Sequence, residues 1–402
     1  MLAEKPGGLT ILDSKGVAKG CELNVKLFLD EDKRYEGLLY DEFRARTLYG
    51  TRDWSDHDDR ELLVYIQESL HAPGFTLAHV RNGAQAFAFE RRIDSLQLHL
   101  KSLPKWDGES RIGRAFIEAW GAPDTPLVRA ASRNFFISMI ARAVVPGAQV
   151  DTLWVLEGPQ GKLKSRSLRE LGGEFHAEIS APIGTNDFFR ELRGVWIAEL
   201  SELDSLRGRE ASTVKRLLSA VTDRYVEKYE RHATAYPRRA IFTATTNEAA
   251  YWQDSTGARR LVPIRVGEID LVQIKLQREQ WLAEALRAYL DGASWWEFPA
   301  SISVAQEDRQ QIDPWEDLLR GAMERGRYDG PNAVHVTWPL GFVSSAEIMA
   351  EWLRLHPHQQ GAASGVRLGK CMRRLGFVPV RHGKARERGW MPQADAQGHA
   401  DG

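Results

Sequence analysis

The chain has 402 residues, longer than one ordinary domain, so two or three domains are expected. With 43% hydrophobic and 27% charged residues it has the composition of a globular protein rather than a disordered one, and its net charge of −1 confines any nucleic-acid surface to a local patch. Cys21 and Cys371 lack metal-ligand spacing, and neither a signal peptide nor an apolar run long enough to span a membrane is found, which indicates a reducing, cytoplasmic setting.

Residues 1–128 are predicted to form a mostly helical N-terminal domain. Asp56–Asp59 carries the signature of a helix start, and Leu62, Leu63 and Ile66 follow on one face. Three more helical patterns follow, over residues 83–103, 110–120 and 127–144.

The strongest motif begins with an apolar run at Thr152–Leu156, which predicts a buried parallel strand. A glycine-containing loop and a helical stretch follow, the layout of a P-loop, in which backbone N–H groups bind phosphate and a Ser holds Mg²⁺. In the pattern G-x-x-x-x-G-K-[ST], Gly158 is the first glycine, Lys164 the lysine and Ser165 the hydroxyl residue. The candidate nucleotide-binding residues are Gly158, Pro159, Gln160, Gly161, Lys162, Lys164 and Ser165.

Leu163 stands where this pattern has its second glycine. Glycine lets the backbone adopt dihedral angles that a residue with a Cβ atom resists. A leucine is tolerated there if its φ is negative, and otherwise narrows the site. The alternative interpretation is a glycine-rich strand–helix turn with no ligand.

The next apolar strand, Val195–Leu203, carries two acids, Glu199 and Glu202. An acid at the carboxyl edge of a parallel sheet, beside a P-loop, orients Mg²⁺ or the attacking water. Both acids fit this role, with Glu199 also a candidate Mg²⁺ ligand. The alternative is an amphipathic strand with two exposed glutamates.

Aromatic and basic residues alternate over Asp223–His232, which favours a β-hairpin. Lys228, Arg231 and His232 are candidate DNA contacts, because a loop that follows a nucleic-acid strand needs cations for phosphates and rings for bases. An equally weighted alternative is that the hairpin packs its tyrosines on the sheet and does not contact DNA.

A strand after Arg238 ends at Asn247, whose amide is suited to contact a γ-phosphate or position water. Arg259 and Arg260 then precede a last strand. A planar guanidinium can bond two phosphate oxygens at once, so either arginine suits recognition of a γ-phosphate bound to a neighbouring subunit. A helix over 271–291 closes a domain predicted to span residues 129–300.

Residues 301–335 are predicted to be a linker and residues 336–402 a basic winged-helix-like domain. A capped helix from Ser344, a second helix over Val366–Leu375 and a basic hairpin make up this pattern. The candidate DNA contacts are Arg367, Lys370, Arg373 and Arg374. The alternative is an accessory domain whose basic face meets anionic neighbours.

Taken together, the motifs resemble the virulence-associated protein E family of phages, plasmids and pathogenicity islands. The segments that carry the resemblance are the glycine loop with Lys164-Ser165, Trp196–Leu203, Pro237–Asn247 and Asp254–Pro263. The resemblance covers residues 20–300 best. That family is similar to superfamily 3 and AAA+-like helicases, which form rings, commonly hexamers, with ATP between subunits.

The resemblance implies an α/β fold with a P-loop NTPase core, a helical N-terminal domain and a winged-helix-like C-terminal domain. It implies ATP and Mg²⁺ as cofactors and DNA as partner, single-stranded in a central pore and duplex on the C-terminal domain. It further implies Lys164, Glu199, Glu202, Asn247 and one of the two arginines as catalytic residues. A separate primase or polymerase is a possible partner, since the chain begins near the helical region.

The function expected from these signals is an ATP-dependent DNA helicase or translocase of a phage or other mobile element, acting in replication initiation. The alternative is a DNA-binding or replication-interfering protein without catalysis, in which Leu163 marks a decayed loop. A third reading is an ATP-dependent switch that recruits a partner helicase.

Overall fold

The computed structural model describes residues 2–5, 8–200, 211–226, 232–248, 260–309, 313–325, 327–329, 335–337, 341–382 and 386–393. The chain divides into two compact units, Met1–Arg309 and Gln310–Gly402. None of the described helices is long and apolar enough to cross a membrane.

The first unit begins with helices and short strands. In chain order these are β1 (Leu2–Lys5), β2 (Gly8–Ile11), α1 (Glu22–Glu31), β3 (Leu38–Asp41), β4 (Arg46–Tyr49), β5 (Arg52–Asp53), α2 (Asp56–Leu70), α3 (Leu77–Glu90), β6 (Arg92–Ile93), α4 (Ser95–Ser102), α5 (Ala115–Glu118) and α6 (Pro126–Val144). The helices α2 and α6 were predicted. The single helix expected over residues 83–103 is wrong, because β6 separates α3 from α4 and Asp94 caps the start of α4. The four-stranded sheet β5-β4-β3-β6 was not predicted. Its strands are two to four residues long, too short to show an alternating pattern in the sequence.

The rest of the first unit alternates strands and helices. In chain order these are β7 (Leu153–Glu157), α7 (Lys164–Gly172), β8 (His176–Ile179), α8 (Asn186–Glu191), β9 (Ile197–Leu200), α9 (Ala211–Ser219), β10 (Thr222–Val226), β11 (Ala233–Pro237), β12 (Ile241–Thr246), β13 (Leu261–Arg265), α10 (Leu271–Leu290) and α11 (Ser301–Glu307).

The centre of this unit is a five-stranded sheet of order β13-β7-β12-β9-β8, in which each neighbouring pair is parallel. The expected mixed α/β fold with a parallel sheet is therefore confirmed. All five residues of β7 are buried, as in a sheet covered on both faces. Since the strands are parallel, their carboxyl ends meet at one edge, where loops from different strands come together.

Residues of β7 alternate between two hydrophobic cores. Trp154 and Leu156 pack with α6, α7 and α10 on one face, and Leu153 and Val155 pack with α8 and α9 on the other. The glycine loop therefore follows a strand that is fixed by packing on both sides.

The second unit contains α12 (Pro314–Arg325), β14 (Arg327–Asp329), β15 (His335–Thr337), β16 (Val343–Ser344), α13 (Ser345–Glu347), a π-helix (Ile348–Trp352), α14 (Ala362–Arg374), β17 (Phe377–His382) and β18 (Glu387–Pro392). Its three-stranded sheet has the order β16-β18-β17. Within the segment predicted as a linker, α11 belongs to the first unit and α12 to the second.

Candidate functional site

The loop of residues 158–163, called the glycine loop, joins the end of β7 to the start of α7 at the carboxyl edge of the sheet. Gly161 has φ of +83°. A Cβ atom on Gly158 would lie 3.2 Å from the Val266 carbonyl oxygen. A Cβ atom at position 158 would therefore crowd a backbone carbonyl, and the left-handed conformation at position 161 favours glycine.

Leu163 has φ of +61° and ψ of 21°, in the left-handed region. A leucine was expected to be tolerated at this position only if its φ were negative. That condition is not met. The left-handed conformation costs a residue with a Cβ atom about 1 kcal/mol or more. The Leu163 side chain is 42% exposed, so burial does little to offset this cost.

Lys164, the first residue of α7, is buried. Its Nζ donates hydrogen bonds to the carbonyl oxygens of Gly158 (2.6 Å) and Pro159 (2.8 Å) and to Oδ1 of Asn247 (2.9 Å). All three acceptors are uncharged. Burial lowers the pKa of the Lys164 ammonium below its usual value. An anion bound at this point would supply the negative counter-charge that the ammonium lacks.

Asn247 directly follows β12, which pairs with β7 in a register that sets Thr246 opposite Glu157. The residues after the two strands therefore leave the sheet side by side, which is why Asn247 reaches Lys164. The structure thus brings together the predicted Gly158, Lys164 and Asn247. Ser165 is partly exposed beside them in the first turn of α7, where backbone N–H groups favour an anion.

Lys162, also in the glycine loop, has a different surrounding. Its Nζ forms an ion pair with the carboxylate of Glu268, which lies in the segment after β13. The Glu268 side chain is 90% exposed, so this pair is open to solvent and to competing anions.

Glu199 lies within β9, level with Thr243 of β12 and so with Trp154 of β7, three residues before β7 ends. Its carboxylate is buried, 3.1 Å from Nε2 of His176, and accepts a hydrogen bond from the Thr245 hydroxyl at 3.4 Å. Glu199 is therefore set into the sheet below the edge that carries the glycine loop. Glu202 lies outside the described residues.

Arg260 immediately precedes β13, at the amino edge of the sheet, because Leu261 is level with Leu153. It is 8% exposed, and its Nε lies 3.6 Å from the Asp151 carboxylate. This burial does not suit a side chain that reaches into another subunit. Arg259 lies outside the described residues.

The predicted hairpin is present as the antiparallel pair β10 and β11. Tyr225 is buried and stacks on Phe189 with ring centroids 5.8 Å apart, so this tyrosine packs on the fold. His232 is exposed before β11. Lys228 and Arg231 lie outside the described residues.

Two of the four predicted DNA contacts on α14 are paired with acids. Arg367 binds both carboxylate oxygens of Asp313 at 2.7 and 2.9 Å, and Arg374 lies 3.5 Å from Glu316. Lys370 and Arg373 are exposed, with Arg373 also donating to the Gly369 carbonyl. The charge that α14 offers to solvent is thus less than the sequence suggests.

Glu157 and Arg309 were not predicted from the sequence as parts of the site. Glu157, the last residue of β7, binds Arg309 through two hydrogen bonds of 2.8 Å, which ties the end of the first unit to the base of the glycine loop. An acid at the end of an otherwise apolar strand is a weak signal for such a pair, and its partner is 152 residues away.

The fold and the site define the class of the protein: a mixed α/β protein with a parallel sheet and a buried lysine in a glycine loop at its carboxyl edge. The family model of the virulence-associated protein E-like domain matches residues 100–313. The match spans more than half of the chain, and the protein belongs to this family.

Among solved structures, the chain is similar to the apo structure of the NrS-1 C-terminal region, with 13% identity over 73% of this chain and 77% of that chain and a TM-score of 0.41. It is also similar to the A form of that apo structure, with 11% identity over 73% and 78% and a TM-score of 0.42. Among curated proteins, none matches.

Proposed function

We propose that the protein is an ATP-dependent DNA helicase or translocase that acts in replication initiation on a phage or other mobile element. The convergence of the glycine loop, Lys164 and Asn247 at the carboxyl edge of a parallel sheet is the observation that carries this proposal. The expected core is a P-loop NTPase, and the membership in the virulence-associated protein E-like family favours it.

The buried ammonium explains how nucleotide would bind. Lys164 is held by two backbone carbonyls and one amide oxygen, and phosphate oxygens of ATP would replace them. The exchange replaces uncharged acceptors with negatively charged ones, so the ammonium gains a counter-charge as well as hydrogen bonds. Asn247 would then face the γ-phosphate or the attacking water.

Mg²⁺ would be held mainly by the phosphates and by the Ser165 hydroxyl, since Mg²⁺ commonly keeps few protein ligands. Among the residues that the structure describes, no group of three metal-binding side chains occurs, in keeping with a metal that arrives with its nucleotide. The ion supplies charge neutralisation during phosphoryl transfer.

Hydrolysis would proceed by attack of water on the γ-phosphorus, with ADP leaving in line. Glu199 or Glu202 would orient the water or the metal, and Glu202 comes three residues after Glu199, which sits below the edge of the sheet. A ring, expected to be hexameric, would let an arginine of the next subunit complete the site. The burial of Arg260 favours Arg259 for that role.

DNA would contact two regions. The loop between β10 and β11 would meet single-stranded DNA in the pore of the ring, and a winged-helix-like second unit would bind duplex DNA through α14. A primase or polymerase would be a separate partner.

A second candidate is a DNA-binding or replication-interfering protein with a silenced nucleotide site. The left-handed conformation of Leu163 favours it, because the motif has glycine at this position and strain there weakens a loop that must also admit phosphates.

Hydrolysis of ATP and displacement of an annealed strand test the proposal, each measured with and without single-stranded DNA and repeated with Lys164→Ala. DNA-stimulated hydrolysis with strand displacement, both abolished by Lys164→Ala, is the expected result. DNA binding without hydrolysis, unchanged by Lys164→Ala, would favour the second candidate. Hydrolysis without displacement would favour a switch that recruits a partner helicase.

A further inference from the structure

A cavity of about 230 Å³ lies in the first unit, at the opposite edge of the sheet from the glycine loop. Residues 237–240, which lead into the first residue of β12, form one side of it. The cavity lies where the hairpin β10–β11, the end of α8 and the turn after β3 meet, and its other polar and aromatic lining residues are Glu42, Phe43, Asp94, Phe189, Arg193, Asp223, Tyr225 and Tyr236.

Aromatic rings and guanidinium planes form its walls. The guanidinium carbon of Arg193 lies 2.8 Å from the centroid of the Tyr236 ring, and its Nε donates to the Tyr225 hydroxyl at 2.7 Å. Arg239 lies over Phe43, 4.9 Å from the ring centroid. Flat surfaces of this kind stack on a planar heterocycle and tolerate any base.

Arg239 also leaves a donor unsatisfied. It pairs with Asp94 and donates to the Ala143 carbonyl at 2.9 Å. Its Nε is buried and, among the residues that the structure describes, has no hydrogen-bond partner. A buried donor without an acceptor costs free energy, which a ligand with an acceptor oxygen or nitrogen would recover.

Size and access limit the ligand. The cavity is smaller than the 300–1,000 Å³ typical of sites for drug-sized ligands, so it suits a single ring system. Pro146, Pro237 and the Glu42 side chain are exposed, so the cavity opens to solvent. Asp94 and Asp223 also line the cavity, and each is paired with an arginine, Asp94 with Arg239 and Asp223 with Arg238.

We propose that this cavity binds one nucleotide unit of a single-stranded nucleic acid, with the base held against the Arg193–Tyr236 pair and an acceptor of the base or its phosphate at Nε of Arg239. The site lies at the foot of the hairpin whose loop is the proposed strand contact. The inference rests on the proposed function only in taking a strand, rather than a free nucleotide, as the source of that unit.

Crosslinking to the unaltered protein tests the site directly. An oligothymidylate carrying one 5-iodouracil is irradiated with the full-length protein in the absence of ATP, and the attached residue is mapped by mass spectrometry. Attachment at Tyr236, Tyr225 or Phe189 is expected. Attachment only at residues outside the cavity overturns the proposal.

Variants then measure the contribution of the walls. Arg193→Ala and Tyr236→Ala should each weaken oligothymidylate binding about fivefold to a hundredfold, the range known for the loss of one stacked base. Tyr236→Phe, which keeps the ring, should bind as the parent does. Arg34→Ala is the matched control, because Arg34 also stacks on a tyrosine, Tyr65, at 4.0 Å but lies outside the cavity.

The outcomes separate the two proposals. Binding of Arg193→Ala and Tyr236→Ala at parental affinity, with parental melting temperatures, overturns this inference even if ATP is hydrolysed. Crosslinks in the cavity support it even if hydrolysis fails. The remaining outcome is that thymidine monophosphate displaces the oligomer completely at the concentration at which the oligomer itself binds. That result would show that the cavity binds a free nucleotide and would overturn the proposal that it binds a strand.

Discussion

At the scale of single residues, the two lysines of the glycine-loop region differ in how much they can offer a phosphate. Lys162 is paired with an exposed carboxylate at the surface. Lys164 is buried among neutral oxygens and has a lowered pKa, so its charge is the less well stabilised of the two. The benefit of an anion is therefore greatest at Lys164.

Leu163→Gly should stabilise the protein and improve nucleotide binding, because it removes the left-handed strain beside Lys164. The gain in the free energy of unfolding should be up to about 1 kcal/mol, since the greater entropy of an unfolded glycine offsets part of the relief. Chemical denaturation and titration with a fluorescent ATP analogue measure the two effects.

His71→Gly is the control for this change, because His71 has φ of +50° at the end of α2, away from the loop. It should stabilise without altering nucleotide affinity. Leu163→Ala removes the bulk of the side chain and keeps the Cβ atom, which separates a crowded site from a strained backbone. Equal affinity for the analogue in Leu163→Gly and the parent would refute the link between strain and binding.

Sequence patterns located Gly158, Lys164 and Asn247 because each follows from its place on a strand or loop. They did not locate the contact of Glu199 with His176, which joins two strands across 23 residues of sequence. Nor could they give the φ of Leu163, since the backbone conformation depends on how the following helix is held by packing.

At the scale of elements, the ion pair of Glu157 and Arg309 joins the end of β7 to the segment that follows α11. Glu157 is 7% exposed, so the loss of Arg309 would remove a charged partner from a poorly solvated carboxylate. The same residue precedes the glycine loop. Loss of this ion pair should therefore also disturb the conformation of the glycine loop.

Arg309→Ala should lower the free energy of unfolding by about 2–3 kcal/mol, toward the lower end for a broken buried pair because Arg309 is partly exposed. It should also weaken nucleotide binding. Arg287→Ala breaks an exposed pair with Asp291 and should cost less than about 1 kcal/mol. A double-mutant cycle with Glu157→Gln that shows no coupling would contradict this account.

The long helices α2, α6 and α10 and the parallel strands β7, β9, β12 and β13 could be predicted because long periodic or apolar patterns indicate burial, whereas β8 was not predicted. The small sheet β5-β4-β3-β6 could not, since its strands are too short. The division after Arg309 was not predicted either. The polar segment that contains α11 and α12 has the composition of a linker, and only the contacts of the two helices assign them to different units.

At the scale of the whole molecule, duplex binding is proposed for the second unit. The ion pairs on α14 indicate which of its basic residues would contribute most to that binding. Lys370→Glu and Arg373→Glu should each weaken duplex binding and lower the dependence of log affinity on log salt by about one. Hydrolysis of ATP without DNA should stay unchanged. Electrophoretic mobility shifts over a salt series measure the slope.

Arg367→Glu and Arg374→Glu serve as the comparison, because these arginines pair with Asp313 and Glu316. Their reversal should lower the stability of the second unit and change the salt slope less. An equal slope change for all four variants would show that the pairs open on DNA.

The two cysteines offer a separate probe for each unit. Burial, with Asp313 and Glu316 nearby, raises the pKa of the Cys371 thiol to about 12, whereas Cys21 is partly exposed in the first unit. Because the thiolate is the reactive form, iodoacetamide at pH 8 should modify Cys21 in the folded protein and Cys371 only after unfolding of the second unit. Peptide mass spectrometry over a denaturant series measures both, and rapid labelling of Cys371 without denaturant would contradict the packing of α14.

The central claim is that the glycine loop, Lys164 and Asn247 form a nucleotide site. Calorimetric titration of the protein with ATP and Mg²⁺ tests it most directly, with Lys275→Ala as the control, since Lys275 is an exposed lysine on α10 of the same unit. We expect saturable binding that Lys164→Ala weakens at least about tenfold, the value of one charged hydrogen bond, and that Lys275→Ala leaves unchanged. Absence of binding in the parent and in Leu163→Gly, or equal binding in Lys164→Ala, would contradict it.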